Sequence, residues 1–167
     1  MIYVVGCNHR AQRTDIQGVW EEAAMLDAEV KNADELARAN LASRLKEIIA
    51  ANNITRIAEE DHPTRKYIGQ ALAEEYGKPY VPVTLRLEER RRRGIPDDYT
   101  RTPTAKTEAY KLFEEHFRNQ VLTNKAPEDN VLVIVGHTHM APLAELFRST
   151  EQAVVAEPIG AIEDNDC

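Results

Sequence analysis

The chain has 167 residues, 43% of them hydrophobic and 29% charged, a balance that suits one folded domain and excludes a disordered or membrane-embedded chain. Its formal net charge of −7 at pH 7 excludes the basic footprint of a general nucleic-acid binder. No apolar run nears the roughly 20 residues of a membrane span, and two cysteines, Cys7 and Cys167, make no disulfide framework.

Met1–Val5 is apolar but carries no basic n-region, and Gly6 cuts it short. It reads as a strand rather than a signal peptide, so a cytoplasmic protein is expected. Residues 10–18 are polar and predict a loop. Residues 19–51 predict a long helix with an apolar stripe of Leu36, Leu41, Leu45, Ile48 and Ile49, interrupted at Asn32-Ala33-Asp34. Thr55–Glu59 predicts a second strand, and Glu59-Glu60-Asp61 lies at its C-terminal end. A helix from about Pro63 to a C-cap at Gly77 follows, then a third strand over Tyr80–Leu85.

Leu87–Arg93 predicts a helical turn and Gly94–Pro103 a loop. Thr107–Leu122 predicts a helix with Tyr110, Phe113, Phe117 and Val121 on one face. Val131–Val135 is the clearest strand, Met140–Phe147 a helix and Ala153–Ala156 the last strand. Strands alternate with helices throughout, which predicts a single three-layer α/β domain over residues 1–167, with a mostly parallel sheet and helices on both faces. The acidic tail, residues 161–167, is expected to be mobile.

Two stretches carry the chemistry. Tyr3-Val4-Val5-Gly6-Cys7-Asn8-His9 and Val133-Ile134-Val135-Gly136-His137-Thr138-His139 are both β-branched runs that end in Gly-x-x-His. In a parallel sheet both tips emerge at the C-terminal edge, where open α/β sheets hold their ligands. Imidazole there can bind a metal or move protons. Glu59 and Glu60 add carboxylates at a third strand end, so His9, His139 and one of these glutamates could hold one divalent ion or form an acid–base cluster. Of His137 and His139, an extended segment would turn only one toward the site. His139 is the expected one, with His137 the other candidate metal ligand. Zinc or manganese suits such mixed donors. Each His could equally be structural. Cys7 is either a small buried hydrophobe or, given a partner such as His9 or His139, a nucleophile.

A basic run stands out in this acidic chain: Arg90, Arg91, Arg92 and Arg93, with Arg86 and Arg101 nearby. It is either a solvated face with i,i+4 pairs Glu88–Arg92 and Glu89–Arg93, or a loop that grips an anionic or carbonyl-rich substrate. Arg10 and Arg65 are further candidates for substrate binding.

Gly6-Cys7-Asn8-His9 and Gly136-His137-Thr138-His139, with Glu59 or Glu60 between them, resemble the pattern of the TraB/Tiki, erythromycin-esterase and ChaN-like proteins. The resemblance covers three short motifs, and Arg65 matches an arginine that often follows the glutamate. It implies a cleft formed by the two motifs and the acid, and, in various members, metal-dependent peptide cleavage, ester hydrolysis or haem-related binding. The chain is shorter than most members, which implies missing helices or a homodimer that completes the cleft. Gly136-His137-Thr138-His139 is also similar to the Gly-His-x-His motif of calcineurin-like metallophosphoesterases, although Cys7 stands where an Asp belongs and no Gly-Asn-His occurs.

The expectation is therefore a hydrolase, metal-dependent or acid–base, acting on an ester, amide or related bond of a small-molecule or peptide substrate. A metallophosphoesterase and a non-enzymatic ligand- or partner-binding module are the alternatives; for the latter, neither a Gly-x-Gly-x-x-Gly nor a Walker phosphate loop is present.

Overall fold

The computed structural model describes residues 1–12, 28–61, 66–84, 87–151 and 153–160. Five parallel strands form one sheet: β1 (Ile2–Cys7), β2 (Arg56–Glu60), β3 (Tyr80–Val83), β4 (Val131–Gly136) and β5 (Val154–Ile159), in the order β3-β2-β4-β1-β5. β1 and β4 are buried at every position, which is why their sequences run as unbroken β-branched stretches. The edge strand β5 is only partly covered, with Val155 and Pro158 exposed.

The helices are α1 (His9–Gln12), α2 (Ala28–Ala51), α3 (Ile68–Glu75), α4 (Leu87–Arg92), α5 (Pro103–Asn124) and α6 (His137–Arg148). The predicted three-layer α/β architecture is the one observed. α2 and α3 cover one face, packing Leu41, Leu45, Ile48, Leu72 and Ala73 against Tyr3, Val5, Ile57, Leu132 and Ile134. α5 and α6 cover the other, packing Phe117, Val121, Leu143 and Phe147 against Ile2, Val4, Ala58, Val131 and Val133. Each buried aliphatic or aromatic side chain stabilises the fold by about 1.5–3 kcal/mol.

Several boundaries differ from expectation. α2 runs unbroken through Asn32-Ala33-Asp34, because the burial of Leu41, Leu45, Ile48 and Ile49 against the sheet outweighs the weak helix preference of Asn and Asp. Leu36 leaves the apolar stripe and is 64% exposed. Residues 19–27, Pro63, Leu85 and the acidic tail lie outside the described residues. A 3-10 turn, Tyr99–Arg101, lies in the expected loop. Residues 10–12 are helical, within His9–Gln12, where a loop was expected, and α6 starts at His137 rather than Met140. α5 begins at Pro103, where a missing N–H costs nothing. Gly77 follows α3 with φ +61, and Lys78 N–H donates to Ala73 O at 2.8 Å, the left-handed helix stop that favours glycine.

The crossovers define where a ligand can sit. From β2 the chain passes over one face to β3; from β4 it passes over the other face to β5. β2 and β4 are neighbours. Their C-terminal ends therefore lie at a topological switch point, the place where open α/β sheets form a ligand crevice.

Candidate functional site

Glu60 ends β2 and Gly136 ends β4, on either side of that crevice. The Gly136 N–H donates to Glu60 Oε2 at 3.1 Å, which sets a carboxylate at the N-terminus of α6, the end that favours negative charge. His9, one residue past β1, brings its Nε2 to 3.8 Å from the same oxygen. That separation is too long for a direct hydrogen bond, and both side chains are partly exposed.

The other nitrogen of His9 is anchored from within. Nδ1 lies 2.9 Å from Oε1 of Gln12, one helical turn on. With the Gln12 amide in this orientation its oxygen accepts from Nδ1–H, and a neutral ring then carries its lone pair on Nε2, on the side of Glu60. Gln12 is fully buried, and its Nε2 donates to Glu59 Oε1 at 3.5 Å. Glu59 is itself fully buried, on the opposite side of β2 from Glu60. Its Oε2 accepts from Gln70 N–H and from the Tyr80 hydroxyl, each at 3.3 Å. Tyr80 starts β3 and reaches along the sheet face from beside Ile57. His9, Gln12, Glu59 and Tyr80 thus form one polar chain that leads from the crevice into the core.

Burial pushes the Glu59 carboxyl well above its usual range. Hydrogen bonds from Tyr80, Gly69 N–H and Gln70 N–H oppose that rise, and the charge of Asp61 adds to it. Burial and the nearby carboxylates of Glu59 and Asp61 also raise Tyr80, which keeps its hydroxyl protonated. Cys7 donates its thiol to Val135 O at 3.6 Å; burial, then Glu59 and Glu60, push that thiol well up. A thiol held protonated is a poor nucleophile, so Cys7 takes the role of a small buried hydrophobe.

Glycines make this packing possible. A Cβ on Gly136 would run into the His9 ring, 2.7 Å from Cε1. One on Gly69 would lie 2.8 Å from the Glu59 carboxyl carbon. One on Gly6 would meet Met140 Cβ at 2.8 Å. The first glycine of the repeated motif admits α6, and the second admits the histidine of the first.

His139 has different company. It is buried on the face covered by α5 and α6, with Nδ1 3.0 Å from Glu114 Oε1 and its ring packed on Tyr110 and Phe113, both centroids 4.7 Å away. The helix starting at His137 replaces the extended segment expected there, and the partly buried His137 sits at its first position. Among the described residues, no group of three or more His, Cys, Asp and Glu side chains could hold a metal ion. The described contacts join His9 to Glu60 and, through Gln12, to Glu59, whereas those of His139 are with α5.

The arginine run lies on α4 and just beyond it, on the chain that leaves the C-terminal end of β3. Arg91 pairs with Asp97 at 2.6 Å, Arg93 with Glu89 at 3.1 Å, and Arg90 lies over the Tyr99 ring. Arg92 is exposed. His116 lies 3.3 Å from Glu89 and ties α4 to α5. Arg10 falls within α1, and Arg65 lies outside the described residues.

Sequence reading missed Gln12, Tyr80 and Glu114. Gln12 had a readable signal, since it stands three residues after His9. Tyr80 and Glu114 meet their partners only through the sheet and the helix pair.

Compared with known proteins, the chain matches no family model, no curated protein and no solved structure. Among the described residues, no helix is long and apolar enough to cross a membrane.

Proposed function

We propose that this protein is an acid–base hydrolase of ester, amide or related carbonyl bonds, with His9 and Glu60 as its catalytic pair. One observation carries the reading. His9 turns Nε2 toward Glu60 at 3.8 Å, at the switch point, while buried Gln12 holds its other nitrogen. A catalytic imidazole needs one nitrogen fixed and the other presented.

A water molecule bound between His9 Nε2 and Glu60 lies within hydrogen-bond reach of both. His9 takes one proton as the water oxygen attacks the substrate carbonyl, and Glu60 accepts the second O–H and holds the water in line. The protonated His9 then returns its proton to the leaving oxygen or nitrogen as the acyl bond breaks. The products are an acid and an alcohol or amine. The first-turn N–H groups of α6 and the arginines that follow β3 are candidates to steady the developing oxyanion. The motif resemblance to the TraB/Tiki and erythromycin-esterase proteins supports the same reaction class.

The test is turnover of a panel of small esters and amides by metal-depleted protein, read from neutral into alkaline pH so that the charged state of Glu59 is included, with metal content measured on protein purified without a nickel column. His9→Ala and Glu60→Gln should each lower kcat about 10²–10⁴-fold while the protein stays folded. Wild-type turnover in both folded variants would place the site elsewhere. Two metal ions per chain would favour the phosphoesterase reading, and no metal and no activity on any substrate would favour a binding module.

A further inference from the structure

The polar chain behind His9 has a property beyond holding a ring in place, and its significance for catalysis rests on the reading of His9 as the base. The Gln70 N–H, which can only donate, and the Tyr80 hydroxyl both lie 3.3 Å from Glu59 Oε2, which favours that oxygen as the acceptor and Oε1 as the place of any proton. The remaining oxygen, Oε1, faces Gln12. Gln12 is fully buried between Glu59 and His9, and its amide has one accepting and one donating end. Whatever Oε1 of Glu59 does therefore decides which end of Gln12 meets His9.

We infer that Gln12 is a positioning residue that couples Glu59 to the tautomer of His9, so that a proton on Glu59 and a free lone pair at His9 Nε2 exclude each other. With Glu59 charged, Oε1 accepts from the Gln12 NH2. The Gln12 oxygen then faces His9, the ring hydrogen stays on Nδ1, and Nε2 is the base presented to the crevice. With a proton on Glu59 Oε1, the O–H donates to the Gln12 oxygen, the amide turns over, and its NH2 donates to His9 Nδ1. The ring hydrogen then moves to Nε2 and the base is lost. No bond other than O–H and N–H changes, and the proton count of each state balances with solvent.

The groups facing Glu59 are Gln12 from α1, Gly69 and Gln70 N–H from α3, Tyr80 from β3, Asp61 beyond β2 and Cys7 from β1. Those facing His9 are Gln12, Glu60 and the Gly136 backbone. Among the described residues, Gln12 is the one that contacts both.

Nitrogen-15 NMR of the imidazoles in the whole protein reads the tautomer directly and needs no substrate, so its failure is distinct from failure of the hydrolase reading. Loss of the resonances in His9→Gln assigns them. At alkaline pH, where Glu59 carries its charge, wild type should show an unprotonated Nε2. Glu59→Gln must keep its amide oxygen at the doubly donated position, which turns its NH2 to Gln12 and should move the unprotonated resonance to Nδ1. Gln12→Met, similar in size and apolar, should remove the coupling, so that Gln12→Met and Gln12→Met/Glu59→Gln give the same tautomer. The same tautomer in wild type and Glu59→Gln, or a Glu59 effect that persists in the Gln12→Met background, would overturn the proposal.

Discussion

The imidazole of His9 occupies the space where a side chain on Gly136 would stand. A Cβ there would lie 2.7 Å from the ring carbon Cε1. The two Gly-x-x-His motifs thus interlock: one contributes the ring and the other the missing side chain that admits it. Gly136→Ala is expected to displace His9 from Glu60 and lower kcat by about 10²-fold or more, since small misplacements of a catalytic group have that effect. Overpacking of this kind destabilises by about 1–3 kcal/mol. Denaturant unfolding measures the second quantity, and His9 chemical shifts report whether the ring moved.

Glu59 makes stability depend on pH in a direction opposite to that of a salt-bridged acid. Burial raises its folded-state pKa well above the ordinary 4.5. Its stabilising contribution is full below 4.5 and is lost as pH rises through the folded pKa, because the unfolded chain releases a proton that the folded chain still holds. The decline reaches at most about 1.4 kcal/mol per pH unit for one group. Glu59→Gln should lack this component, so its stability relative to wild type should improve as pH rises from 4.5. Parallel stability profiles for the two proteins would contradict the assignment.

His139 and Glu114 form a buried pair whose test separates a structural role from a catalytic one. Both side chains are 7% exposed. His139→Phe preserves the ring packing on Tyr110 and Phe113 but leaves the Glu114 carboxyl without this partner, at a cost of about 1–3 kcal/mol. Adding Glu114→Leu should restore much of that stability, because two apolar groups replace a satisfied polar pair. Thermal unfolding of the two single variants and the double variant checks the cycle. Activity in the stable double variant near the wild-type level would remove His139 from the chemistry.

The arginines following β3 carry a prediction about substrate. Replacing Arg90, Arg91, Arg92 and Arg93 by Gln is expected to raise KM in low salt, with the gap between variant and wild type narrowing as salt is added. Unchanged KM at low ionic strength would leave the run as a solvated helical face, whose Arg91–Asp97 and Arg93–Glu89 pairs are exposed in any case.

Local pattern was enough to read the strands and most helices. Val4-Val5 and Val131–Val135 are β-branched runs that suit a doubly covered strand, and the β–α alternation fixed the parallel architecture. The pattern also placed His9, Glu59, Glu60 and Gly136 at strand ends. It did not reveal where α6 begins, because the His137-Thr138-His139 segment has no strong local preference and the helix is held by Leu143 and Phe147 against the sheet.

What the sequence determined by itself was which residues reach the C-terminal edge of the sheet, since strand period and crossover handedness follow from local sterics. Which of them meet was decided only by tertiary structure. Adjacent residues of a strand point to opposite faces, so Glu59 goes down to Gln12 and Tyr80 while Glu60 meets Gly136 and His9. Those partners come from α1, β3 and β4, and only the strand order β3-β2-β4-β1-β5 brings them together. His139 shares its motif with His9, yet its described contacts are with α5, through Glu114, Tyr110 and Phe113.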